Sequence, residues 1–105
     1  MTKIKDSATR RALKIQKVLA GKSLTGMALK DIADAIGENS VNTLRTLQTM
    51  VDEGMAVQFE HNKKYALSTA CLAIARAHSL EVGQAQQQLD AVSQRVTAHA
   101  NQYLT

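Results

Sequence analysis

The 105-residue chain has no proline and only five glycines, so Gly21, Gly26, Gly37, Gly54 and Gly83 are its candidate helix stops and turns. Between them, apolar residues recur at helical spacing up to Gly54; beyond it they fall on alternate residues for about a dozen positions. That order of helix, helix, turn, helix and hairpin predicts a mainly α domain with a small β-hairpin.

Ser7 is a plausible N-cap for the first helix. Ala8, Ala12, Ile15, Val18 and Leu19 make one apolar face before Gly21. The other face stacks Arg10, Lys14 and Lys17 at i, i+4 and i+7, a cationic stripe that is either a solvated surface or a phosphate contact. Leu29, Ile32, Ala33 and Ile36 line a short second helix that ends at Gly37. A third helix spans residues 40–53. Two short helices joined by a brief glycine-containing turn have the layout of a helix-turn-helix.

On a helical wheel, Ser40, Leu44, Leu47, Gln48 and Val51 of the third helix share one arc, expected to face the core. Opposite lie Asn39, Asn42, Thr43, Arg45, Thr46 and Thr49. Asparagine and threonine are weak helix formers, so their concentration on an outward face suggests a use. Asn can pair with adenine, Arg with guanine, and Thr offers a hydroxyl and a methyl to thymine. These six are the expected base-reading residues.

Beyond Gly54, Val57 and Phe59 alternate with polar residues, His61-Asn62-Lys63 makes a turn, and Tyr65 and Leu67 return. Lys63 and Lys64 near the hairpin tip suit phosphate contact, as Arg10, Lys14 and Lys17 do, although lysines there also block edge pairing.

The segment Arg11-Ala-Leu-Lys-Ile-Gln-Lys-Val-Leu-Ala-Gly resembles the first helix of the DNA-binding domain of IclR-type transcriptional regulators. Leu29-Lys-Asp-Ile-Ala-Asp-Ala-Ile-Gly resembles their second, Leu47-Gln-Thr-Met-Val-Asp-Glu-Gly the end of their third, and Lys64-Tyr-Ala-Leu their returning wing strand. The resemblance covers roughly residues 8–78. It implies a winged helix-turn-helix that binds double-stranded DNA as a dimer, with the third helix in the major groove and the wing on the backbone. Arg45 falls on a position that is commonly arginine in the family, and Leu47, Gln48 and Thr49 match its Leu-Gln-Thr. Val41-Asn-Thr-Leu44 replaces the usual Ser-Thr-Val-His, so a different base sequence or a rotated helix is expected. The family's effector domain has no counterpart in the remaining residues, so no small-molecule effector is expected.

The expected domains are a winged helix-turn-helix over 1–78 and a C-terminal helix over 79–105. A fourth helix is read over Thr69 to Ala77, with Cys71 as a buried hydrophobe. From residue 80 the chain is rich in glutamine and alanine. Val82, Ala85, Leu89, Val92, Val96, His99 and Tyr103 then follow at alternating steps of 3 and 4, the seam of a coiled coil. The seam suggests a homodimer interface; packing onto the chain's own domain is the alternative. A dimer would place two recognition helices about one DNA turn apart, roughly 34 Å.

Charge is uneven. Residues 1–30 carry a net +7, residues 31–60 a net −5 and the rest +2, within a total of +4 and a pI near 9.5. The basic end favours a polyanionic partner. The acidic middle favours a rival reading, a winged-helix protein–protein interaction module or adapter that binds no DNA.

Other classes find little support. The longest uninterrupted apolar run, Ala70 to Ala75, is too short for a membrane span, and the first residues lack an apolar leader, so a cytoplasmic location without membrane partners is expected. A single cysteine fits a reducing compartment. His61, His78 and His99 are too scattered for a metal motif, and no catalytic constellation or phosphate loop is present, so neither an enzyme, a metal nor a cofactor is expected.

Overall fold

The computed structural model describes residues 6–104; Lys3 and Lys5, counted in the basic first third, lie outside them. The elements run α1 (Ser7–Val18), α2 (Leu29–Ile36), α3 (Ser40–Asp52), β1 (Ala56–Gln58), β2 (Tyr65–Leu67) and α4 (Thr69–Gln102). This is the mainly α fold with a hairpin wing and a long C-terminal helix that the sequence pattern predicts.

Ser7 is the first helical residue and Asp6 the N-cap, its carboxylate accepting from the Thr9 amide at 3.1 Å. A carboxylate there also meets the positive end of the helix dipole, which a serine hydroxyl cannot match. That amide bond is the main reason the Asp6 carboxyl is held below its ordinary pKa. Gly37 ends α2 in the left-handed conformation, φ 70°, a backbone state that glycine enters without a Cβ clash. Asn39 then caps α3, its side-chain oxygen accepting from the Asn42 amide at 2.8 Å.

The core forms where the three helices and the sheet meet: Ile15 and Leu19 from the first helical segment, Ile32 from α2, Leu47 and Met50 from α3, and Ala56 and Tyr65 from the sheet. Complete burial of an aliphatic side chain of this size contributes about 1.5–3 kcal/mol. β1 and β2 pair antiparallel with Ala56 opposite Leu67 and Gln58 opposite Tyr65. Met27, in the loop before α2, adds an antiparallel bridge to Tyr65 through two 2.8 Å backbone hydrogen bonds. Gly26 makes that approach possible: a Cβ there would lie 3.0 Å from both Phe59 and Lys64 side-chain atoms, and φ is +73°.

Ser68 caps α4 by accepting from the Cys71 amide at 3.0 Å while its hydroxyl donates to the Gly54 carbonyl. Cys71 is buried, as the sequence suggests. The break expected after Ala77 does not occur, since α4 runs unbroken through Gly83 to Gln102. An interior glycine costs a helix only about 1 kcal/mol, too little to stop it without a proline. By internal contacts the chain divides into two units, one ending at Leu72 and the other beginning at Ala73. Every residue from Ala73 to Leu104 is exposed. No helix among the described residues is long and apolar enough to cross a membrane.

Candidate nucleic-acid interface

α3 forms as predicted but is turned about its axis by about 90° from the expected orientation, at 100° per residue. Its inward face is Thr43, Thr46, Leu47 and Met50, with Leu44 half-buried at one margin. Thr43 is fully buried and Thr46 nearly so, which removes both from the outward set that polarity suggested. Each threonine hydroxyl donates to the carbonyl four residues back, Thr43 to Asn39 at 2.8 Å and Thr46 to Asn42 at 3.0 Å. With the hydroxyl satisfied inside the helix, the methyl group packs like an apolar side chain. Conversely, Ser40, Gln48 and Val51, expected inside, are exposed.

The other expected base readers divide. Arg45 and Thr49 are exposed, and Thr49 donates to the Arg45 carbonyl at 3.1 Å. Asn39 is exposed, but its side-chain oxygen is committed to the cap. Asn42 is half-buried, and its amide nitrogen donates to Glu38 Oε1 at 3.3 Å. The arc left facing outward on the first three turns is therefore Ser40, Val41, Arg45 and Gln48. It carries no carboxylate until Asp52.

The sequence did not single out Arg11 as a functional residue. From α1 it reaches Glu38 Oε2 through Nε at 3.2 Å and Thr46 Oγ1 through Nη1 at 3.2 Å. Glu38 also accepts from the Asn39 amide at 3.0 Å. One half-buried cluster thus ties α1 to the start of α3. The Glu38 carboxyl is held below its ordinary pKa, first by the Asn39 amide, then by Asn42, with Arg11 adding its hydrogen bond and charge. Arg11 also offsets the Glu38 charge just before α3. Asp31, Asp34, Asp52, Glu53 and Glu60 are all exposed, on α2, at the end of α3 and in the hairpin.

Arg10, Lys14 and Lys17 are exposed along α1, as expected of the stripe. In the wing, Lys63 is exposed and Lys64 half-buried. Local hydrogen bonds shape the tip: the Phe59 amide donates to the Lys64 carbonyl at 2.8 Å, the Lys64 amide donates to Asn62 Oδ1 at 3.0 Å, and the Gln58 side chain donates to the Lys63 carbonyl at 3.1 Å. Lys63 takes φ 61°, and His61 stacks on Phe59 at 5.6 Å between ring centroids. These bonds hold a cationic tip in one shape.

Beside α3, a groove of about 620 Å³ runs between it and α1, with Ala12, Leu13, Gln16, Met50, Met55 and Cys71 among its lining residues. No group of three or more potential metal ligands occurs among the described residues. On α4, the expected seam residues Val82, Ala85, Leu89, Val92, Val96, His99 and Tyr103 are all exposed.

No family model matches the chain, and no curated protein does. Solved structures do. HmgR of Pseudomonas aeruginosa is 26% identical with a TM-score of 0.60, over 69% of this chain and 29% of that one. An IclR transcriptional regulator from Alicyclobacillus acidocaldarius is 25% identical with a TM-score of 0.62, over 73% of this chain and 31% of that one. MepR, a transcription regulator of the Staphylococcus aureus multidrug efflux pump MepA, covers 90% of this chain and 75% of its own at 15% identity and a TM-score of 0.53, a likeness of fold alone. The chain spans about three tenths of the HmgR and IclR chains. In element order, with its helix-turn-helix followed by a two-stranded wing, the chain has a winged helix-turn-helix fold and is similar in it to HmgR and the IclR regulator.

Proposed function

We propose that this protein is a sequence-specific transcriptional regulator that binds double-stranded DNA as a homodimer in the cytoplasm, with α3 in the major groove and the hairpin on the flanking backbone. The outward arc of α3 carries the reading: four exposed residues without a carboxylate, on a helix whose other side is fixed in the core. Arg45 suits guanine O6 and N7, Gln48 suits adenine N6 and N7, and the Val41 methyls suit a thymine methyl. Ser40, Asn39 and Thr49 lie at the margins of this surface. Arg10, Lys14, Lys17, Lys63 and Lys64 supply phosphate contacts, which set register and affinity without reading sequence. The α4 seam from Val82 to Tyr103 joins two copies, so the bound site is two-fold symmetric.

The test is selection of bound fragments from a random duplex pool, followed by binding of wild type and Arg45→Ala to the selected and scrambled sites. The reading role requires the variant to lose discrimination at one base pair while keeping its affinity for scrambled DNA. Unchanged discrimination refutes that role.

The apolar groove beside α3 and the exposed acids favour a second reading, an adapter that joins proteins. An adapter predicts no steep loss of DNA binding with salt, because there is no DNA binding to lose.

A further inference from the structure

We infer that two copies of α4 pair antiparallel, centred near Gln87, with Glu81 of each copy against Arg95 of the other. The inference rests on the dimer reading above and adds the direction and register of the pairing. α4 is helical throughout residues 69–102, so the seam of Ala75, His78, Val82, Ala85, Leu89, Val92, Val96 and His99 lies along one side of one helix. Val82, Leu89, Val92 and Val96 are 54%, 65%, 47% and 62% exposed. An apolar stripe of this length on a soluble helix calls for a partner.

The residues flanking the seam decide how the partner lies. On one flank are Glu81, Gln88, Arg95 and Gln102; on the other are Ser79, Gln86, Ser93 and Ala100. In a parallel pair, the first flank of one helix meets the second flank of its partner about five residues further on. Glu81 then faces Gln86, and Arg95 faces Ala100, so neither charge meets its opposite. In an antiparallel pair, like flanks meet. Glu81 then faces the second copy's Arg95, Gln88 faces its own symmetry mate, and the Glu81–Arg95 contact occurs twice.

The seam agrees with this register. Val82 packs against the second copy's Val92, and Ala85 against its Leu89, placing a small residue opposite a large one. Ala75 meets His99, and His78 meets Val96. Sliding one copy by a heptad, so that Leu89 meets Val92, leaves Glu81 facing Gln102 and Arg95 facing Gln88. Only the Gln87-centred register joins the two opposite charges.

The experiment uses the full chain. Sedimentation equilibrium measures the dimer constant of wild type, Glu81→Arg, Arg95→Glu and the double variant, with helix content checked by circular dichroism. Each single substitution turns two attractive contacts into repulsive ones and is expected to weaken the homodimer about tenfold. The double variant restores it, and a mixture of the two single variants forms the heterodimer in preference to either homodimer. In a second arm, Ala85→Cys protein is mixed with tagged Leu89→Cys protein and oxidised; buried Cys71 is kept, with wild type as control. The mixed disulfide is expected to dominate.

Self-disulfides of Ala85→Cys, or a pairing that favours Leu89→Cys with Val92→Cys, overturn the proposed direction or register while the dimer reading stands. A wild type that stays monomeric at concentrations well above those that saturate DNA overturns both. Binding to a duplex that carries a single half-site of the selected DNA, measured separately, reports on the reading helix without the dimer.

Discussion

In the unit that ends at Leu72, the side chains of Ile15, Leu19, Ile32 and Leu47 lose all contact with solvent. In the unit that begins at Ala73, four seam residues of similar size keep 47% to 65% of theirs. Both units are helical and both place apolar residues at intervals of three and four. The first gathers three helices and a sheet around one core, so its periodicity is satisfied within the chain. The second is part of one helix, and one helix offers its stripe nothing to pack against. Periodicity therefore says that a face will be buried, but not whether the burying surface comes from the same molecule. Under the proposed function, stability and base reading belong to the first unit and assembly to the second.

The harshest check is truncation inside the core. Leu47→Ala should cost about 2–5 kcal/mol in denaturant unfolding and abolish DNA binding by loss of the fold. A loss below about 1 kcal/mol would show that the site collapses easily and that the first unit is less tightly built than its burial suggests. Next comes Arg45→Ala, expected to cost about 1–3 kcal/mol on the selected site with unfolding unchanged, because the side chain is exposed. Leu89→Ala sharpens the contrast. It should leave the first unit's unfolding midpoint where it was and weaken self-association, measured by sedimentation. A core-like loss of unfolding stability in dilute monomer would break the distinction between the units.

A smaller effect is expected of Lys14→Ala. It should weaken binding to all sequences alike and reduce the slope of log affinity against log salt by about 1, checked by titration at several salt concentrations. The slightest concerns acid. Glu38 has a folded pKa below its unfolded value, so it stabilises the first unit above the ordinary glutamate value near 4.3 and ceases to as pH falls through that value and then through the lower folded one. Glu38→Gln should flatten the acid limb of an unfolding curve in that range by slightly lowering stability at neutral pH, where the ionised carboxylate contributes, and leave the most acidic end nearly unaffected.

Much of the scaffold was legible in the sequence. Leu29 to Ile36 followed by Gly37 fixes α2 and its stop, because a lone apolar stripe before a glycine has few other solutions. Tyr65 and Leu67 alternate clearly enough to mark β2. The orientation of α3 was not legible from polarity alone. Threonine is polar by its hydroxyl, yet Thr43, Thr46, Leu47 and Met50 form an unbroken i, i+3, i+4, i+7 stripe once that hydroxyl bonds backward along the helix. That stripe was the available signal, and reading it moves Gln48 outward and Thr43 and Thr46 inward. Arg11 was hidden for a different reason: its partners, Glu38 and Thr46, are 27 and 35 residues away, a distance no local pattern spans. The Met27–Tyr65 bridge escaped for the same reason, its lone residue leaving no alternation to detect.

On α3, the side chains that anchor the helix and those that face outward are almost separate sets, since Thr43, Thr46, Leu47 and Met50 hold it while Ser40, Val41, Arg45 and Gln48 do not. A helix divided in this way is an interchangeable cassette. Randomising its four free positions would give a library whose members all keep the same chassis, so target preference could drift or be redirected with the rest of the molecule unchanged.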